Sequence, residues 1–151
     1  MKTAFFQSFE DTSDKEETPF RLSMVQAELK KNNLSGYLVP RSDVHQGEYV
    51  AACDERLSWL TGFTGSAGIC IVGNDRAGVF VDGRYSIQAK KQIKSPFEVT
   101  QLNKKNFLQW IEKNIVKGEI GFDPWLHSHK EILELSEAFA DKDIGFVPSD
   151  N

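Results

Sequence analysis

The sequence predicts an α/β domain, a mixed β-sheet flanked by helices on both faces. Three observations lead there. Segments of helical period alternate with short apolar runs of strand length along most of the 151 residues. Two of those runs, Ile69-Cys70-Ile71-Val72 and Gly78-Val79-Phe80-Val81, flank Gly73-Asn74-Asp75 as a β-hairpin, which brings antiparallel pairing into the sheet. Tyr37-Leu38-Val39 is apolar throughout and stopped by Pro40, as a strand covered on both faces is.

Taken in order, residues 1–17 are a lead-in that turns polar and acidic from Glu10. Thr18-Pro19 is a helix start, a hydroxyl cap before a proline at the first helical position. Leu22, Met24, Val25 and Leu29 form the apolar side of that helix, which ends at Asn32-Asn33, with a turn at Ser35-Gly36. The strand at Tyr37 opens into a polar loop, Arg41 to Glu48. Glu55 to Leu60 is a short helix or turn, and Gly62, Gly65 and Gly68 then fall three residues apart. After the hairpin, Asp82 is placed to cap a helix over Arg84 to Ile93. Phe97 to Thr100 is a strand. Phe107, Trp110, Ile111 and Ile115 mark a helix, Glu119 to Phe122 a strand, Ser128 the cap of a helix reaching Ala140, and Ile144 to Val147 a last strand. The domain is expected over 18–148, with 149–151 opening a linker.

Length and composition fit one domain with one core, or a piece of something longer. A net charge of −4 argues against non-specific binding to nucleic acid or to an anionic membrane surface. No apolar run approaches the roughly 20 residues that span a bilayer, and the N-terminus lacks the apolar stretch and cleavage site of a signal peptide. The two cysteines, Cys53 and Cys70, belong to no CxxC, which favours a reducing, cytoplasmic setting.

Tested for chemistry, the motifs exclude more than they assign. Thr61-Gly62-Phe63-Thr64-Gly65-Ser66-Ala67-Gly68 lacks the lysine and the following helix of a phosphate cradle. It also lacks the first glycine of a G-x-S-x-G nucleophile elbow, so the glycines are read as packing residues. His127 and His129 match no metal-ligand spacing and are expected to be exposed or capping. His45 shares a polar loop with Asp43, Gln46 and Glu48, either as an ordinary hydrogen-bonded side chain or as part of a site. Arg84, a cation at a helix start, opposes the helix dipole. It is read either as a fork for a carboxylate or carbonyl, or as the partner of an acid such as Asp82 or Asp54. No catalytic residue and no metal site emerges from the residues alone.

Tyr37-Leu38-Val39-Pro40-Arg41-Ser42-Asp43-Val44-His45-Gln46-Gly47-Glu48-Tyr49, Glu55 to Gly68, Val81-Asp82-Gly83-Arg84-Tyr85 and Ile120-Gly121-Phe122-Asp123-Pro124 occur in that order. Together they closely resemble the N-terminal, creatinase-type domain of Xaa-Pro aminopeptidases (aminopeptidase P), of the long, three-domain, cytosolic kind. The resemblance implies a ribonuclease-H-like fold without nuclease activity. It implies a parent enzyme whose separate catalytic domain holds two divalent metals, usually manganese, and cleaves before a proline at the second position of short peptides. It implies that this domain holds no metal and is inactive alone, that it shapes substrate access, and that it joins homo-oligomer contacts, expected as a dimer. Arg84 is expected to contact the peptide, and His45 to line the same rim. A non-enzymatic protein-binding module of the same superfamily is the alternative, and a serine hydrolase using Ser66 and His45 a remote third.

Overall fold

A computed structural model describes residues 15–149. Its elements are α1 (Thr18–Lys31), β1 (Leu34–Pro40), α2 (Arg56–Thr61), β2 (Gly68–Gly73), β3 (Ala77–Val81), α3 (Ser86–Gln92), β4 (Phe97–Gln101), α4 (Lys104–Asn114), β5 (Gly118–Phe122), α5 (His129–Ala138) and β6 (Ile144–Pro148). Single 3-10 turns lie at Ala52–Asp54 and Gly83–Tyr85. The expected lead-in lies mostly outside the described residues, as do Asp150 and Asn151 of the expected linker.

The strands form one six-stranded sheet in the order β4-β3-β2-β1-β5-β6. The hairpin supplies its antiparallel pairing: β1 pairs with β2 and β2 with β3 in opposite directions, whereas β3–β4, β1–β5 and β5–β6 are parallel. From β1 the chain works outward to β4 and then returns through α4 to the other side of β1. Because parallel crossovers keep one hand, connections travelling in opposite directions must lie on opposite faces. The core obeys this.

One cluster packs Leu22, Leu29, Leu57, Leu60, Ala89 and Ile93 from α1, α2 and the α3 segment against Val39, Cys70, Val72, Val79 and Val81. The other packs Phe107, Trp110, Ile111, Leu135 and Phe139 from the α4 and α5 segments against Leu38, Ile71, Phe80 and Ile120. Helices on both faces and a mixed sheet are therefore as the sequence predicts. Burying both faces also explains why every residue of β3 is buried.

Several local readings change. Thr18 does not cap α1; Glu17 holds the cap position without a side-chain bond, and the buried Thr18 hydroxyl donates to the Lys15 carbonyl at 3.0 Å. The turn before β1 is made by Asn33 at φ 57°, a left-handed conformation that asparagine tolerates, so Ser35 and Gly36 lie within the strand. Met24, placed with the core by its spacing, is half-exposed, because Leu22, Val25 and Leu29 already fill the sheet-facing side. Ser128 caps α5 as expected, accepting from Glu131 N. Asp82 instead accepts from Arg84 N as the cap of the 3-10 turn Gly83–Tyr85, and α3 follows from Ser86 with Tyr85 at its cap position and no side-chain bond there. α5 stops at Ala138, short of Ala140.

The second cluster has no spare volume at Gly78. A Cβ there would lie 2.8 Å from Trp110 Cε2 and Nε1, and Trp110 is itself held by its indole N–H donating to Glu98 Oε2 at 3.0 Å. Gly78→Ala is expected to destabilise the domain by about 1–3 kcal/mol through overpacking. A urea denaturation curve unchanged in midpoint would show that the ring moves aside freely.

Candidate functional site at the carboxyl edge of the sheet

β1, β3, β4, β5 and β6 all run the same way, so their carboxyl ends share one edge, where β2 begins. Open α/β sheets bind ligands beyond this edge, at the point where the winding reverses. Here that point lies between the ends of β1 and β5, at Arg41 and Asp123. Both residues expected to act, His45 after β1 and Arg84 after β3, emerge on this edge.

The loop after β1 is shaped by Asp43. Its Oδ1 accepts from the backbone N–H of His45 at 2.9 Å and of Gly47 at 3.1 Å, and its carbonyl accepts from Gln46 N at 3.1 Å. The Gly47 and His45 N–H bonds hold the Asp43 carboxyl below its usual range. His45 thus stands on a fixed backbone while its imidazole is exposed.

Arg41, which the sequence reading passed over, is the joint of this loop. Its Nη2 lies 3.1 Å from Glu55 Oε1, and its Nη1 donates to the carbonyls of Glu48 at 3.2 Å and Ser66 at 3.4 Å. It gathers the loop after β1, the start of α2 and the glycine-rich segment. Its position immediately after the strand-ending Pro40 was the available signal.

A second ion pair crosses the reversal point. Arg56 Nη1 from α2 meets Asp123 Oδ2 at the end of β5 at 2.5 Å, and Asp123 is only 1% exposed. Asp123 Oδ1 also accepts from Trp125 N at 2.9 Å. An aspartate before a proline at a strand end, Asp123-Pro124, was a legible turn signal; its partner, 67 residues away, was not. Beside them the Tyr37 hydroxyl and Ser149 Oγ share a hydrogen bond of 2.7 Å, and burial pushes the Tyr37 phenol up.

The glycine-rich segment is occupied by its own packing. Gly62 terminates α2 in the left-handed region at φ 79°. Thr64 N donates to Gln92 Oε1 at 3.0 Å while Gln92 Nε2 donates back to Thr64 Oγ1 at 2.8 Å, tying the loop to α3. Gly65 lies against the ring of the buried Phe63, where an added Cβ would come within 2.2 Å of Cζ. The Ser66 hydroxyl is 2.5 Å from the Tyr85 hydroxyl, so its partner is Tyr85 and not His45.

At the corner after β3, Asp82 Oδ1 accepts from both Arg84 N and Arg84 Nε, each at 2.9 Å. Of the two readings for Arg84, the pairing with Asp82 is present. It engages only the Nε edge, and the side chain is 74% exposed. Its Cζ lies 5.7 Å from the centre of the Tyr85 ring. Among the described residues no other bond engages the two Nη groups, the edge that matches a carboxylate.

His127 departs from expectation. Its side chain is fully buried, edge-on to Phe122 at 5.8 Å, and neither ring nitrogen has a hydrogen-bond partner among the described residues. The nearest acid, Glu131, stands 3.3 Å from Nδ1. The cause is Leu126 and His127 turning under the end of β5, where Leu126 N donates to the Asp123 carbonyl. His129 is exposed, as expected. Among the described residues no group of three or more His, Cys, Asp or Glu could hold a metal ion, and no helix is long and apolar enough to cross a membrane.

The winding and this edge define a doubly wound α/β module, and comparison with known proteins identifies it. The chain belongs to the creatinase/prolidase N-terminal domain family, whose model matches residues 21–151. It is 39% identical over 113 residues to Xaa-Pro aminopeptidase 2 of Rattus norvegicus, covering 74% of this chain but 17% of that protein. It therefore spans roughly a fifth of the length of the curated relatives it matches. A crystal structure of X-prolyl aminopeptidase from Caenorhabditis elegans, described as a cytosolic enzyme with a di-nuclear active site, shares the fold with a TM-score of 0.76. Identity is 24%, over 87% of this chain and 24% of that one. The separately solved N-terminal domain of the cytoplasmic peptidase PepQ from Mycobacterium tuberculosis gives a TM-score of 0.66 at 24% identity, covering 86% of this chain and 92% of that one.

Two substitutions probe this edge. Arg56→Ala removes the cation from the Asp123 carboxylate and, with the arginine end of the pair partly exposed, is expected to cost about 1–3 kcal/mol. The double variant Arg56→Met, Asp123→Asn should recover part of the loss in chemical denaturation, and strictly additive losses would show that the pair is not coupled. His127→Phe removes two unsatisfied nitrogens at nearly constant shape and should be neutral or stabilising. A loss of stability above about 1 kcal/mol would mean that the ring nitrogens are bonded.

Proposed function

We propose that this chain is the leading, non-catalytic domain of a metal-dependent Xaa-Pro aminopeptidase, and that its carboxyl edge walls the approach to the peptide site. Family membership and the fraction of each relative that the chain covers support the parent enzyme. The observation that carries the domain's own role is Arg84: a guanidinium set by Asp82 on one edge and by Tyr85 beneath, with its bidentate edge open at the ligand-binding side of the sheet. In this reading Arg84 contacts the peptide, a carboxylate or backbone carbonyl being the matching group, and His45 lines the same rim from the loop held by Asp43.

The described residues offer no ligand set for the two divalent metals, manganese by resemblance. Those ions belong in this reading to the remainder of the longer protein, where they would activate the attacking water. The substrates are short peptides with proline at the second position. Contacts with other subunits, in a homodimer, fall on the open groove of about 590 Å³ lined by Met24, Leu29, Tyr37, Trp59, Val147 and Pro148, apolar surface of the kind such contacts cover. Cys53 and Cys70 are both unpaired, and the nematode neighbour is described as cytosolic, which supports placement in the cytoplasm.

In the longer enzyme, Arg84→Ala should lower kcat/KM for an Xaa-Pro peptide by about tenfold or more, the cost of losing a charge-assisted contact. Metal content, read by elemental analysis, should stay the same. An unchanged kcat/KM removes Arg84 from the site.

A further inference from the structure

Hydrogen bonds join the glycine-rich segment to the corner at Asp82 and make one device of the two. We infer that Ser66 and Tyr85 are positioning residues that hold the Arg84 guanidinium in place for a carboxylate-bearing ligand. The inference rests on the reading that Arg84 meets the peptide, and it assigns the loop 62–68 a purpose beyond packing.

The chain of contacts starts in the core. Phe63 is 1% exposed, and it meets the Tyr85 ring edge-on at 5.8 Å and 77°. Gly65 lets the loop close down on the Phe63 ring, since any side chain there would collide with it. That closure carries Ser66 to the Tyr85 hydroxyl. The next residue, Ala67, accepts at its carbonyl from Asp82 N at 3.4 Å, so the loop is stitched to the corner on both sides of Arg84. Tyr85 is thus fixed at its ring by Phe63 and at its oxygen by Ser66, and its face underlies the guanidinium.

The charges explain why such a device is needed. Asp82 and Arg84 together carry no net charge, so the corner cannot draw an anion by field alone. What it offers is shape. Asp82 takes the Nε edge and leaves Nη1 and Nη2 as a planar fork, useful only while the guanidinium keeps its orientation. An exposed arginine held by one carboxylate would sample many rotamers, and the Tyr85 face restricts them. The Ser66 bond is also the leading cause that holds the Tyr85 phenol below its ordinary range, as a hydroxyl donating to that oxygen would.

The test reads Arg84 directly. In the 15N-labelled 151-residue chain, the Arg84 Nε–Hε resonance should show a positive heteronuclear NOE typical of an ordered side chain. Ser66→Ala and Tyr85→Phe each remove one partner of the hydroxyl pair and keep the core ring, so both should lower that NOE toward the value of a freely rotating arginine. Ser66→Thr should restore it. Equal NOE values in all four proteins overturn the positioning role. In the longer enzyme, Ser66→Ala and Tyr85→Phe should raise KM several-fold with little change in kcat, and neither should add to Arg84→Ala. Additive losses there would also overturn the proposal. Should Arg84→Ala leave kcat/KM untouched while the NOE still responds to Ser66→Ala, the peptide reading fails and the positioning stands.

Discussion

The reversal of winding at β1 is the constraint on which the rest of the structure depends. Outward travel through β2, β3 and β4 commits α3 to one face, and the return through α4 commits α4 and α5 to the other. With both faces covered, the central strands β2 and β3 carry no polar side chain, and polar residues are left to the outer strands and the strand ends. The same reversal parts the connections at the carboxyl ends of β1 and β5. There the backbone leaves both strands in opposite directions and opens a gap that side chains must close.

Ion pairs close it. Arg41 with Glu55 and Arg56 with Asp123 both reach from the strand ends into α2, so this six-residue helix is fixed by charge as well as by Leu57 and Leu60 beneath it. A part-buried pair of this kind contributes little net stability against an apolar replacement, yet it penalises any arrangement that strands the buried partner alone. Its effect is to specify which loops meet at the edge. Arg84 differs in kind. Its acid lies two residues away on the same corner, so that pair ties nothing together and only orients the arginine.

Legibility follows the range of the interaction. Strands and helices set by burial on both faces were readable, because an apolar run such as Ile69 to Val72 has few other uses. The caps at Asp82 and Ser128 were readable because the acceptor and its amide lie within three residues. Ser35-Gly36 misled because glycine signals a turn only where no better left-handed residue precedes it, and Asn33 does. His127 misled because burial of a polar ring is decided by the path of the chain beneath β5, which spacing does not record. At the edge, Arg84 was singled out from its unfavourable place near a helix start. Arg41, Arg56 and Asp123 were not, since each is defined by a partner 14 or 67 residues distant.

The glycine-rich segment shows how a conspicuous pattern can arise from unrelated demands. Gly62 is needed for its positive φ at the end of α2. Gly65 is needed because Phe63 occupies the space a side chain would take. Gly68 sits where a Cβ would press on the Phe80 carbonyl at 3.1 Å, at the start of a strand paired with β1 and β3. The three-residue spacing that invites a functional reading is therefore a by-product of a short helix, a buried ring and a strand following one another closely. Between the glycines lies Ser66, whose hydroxyl is carried by that packing to Tyr85, the ring beneath Arg84.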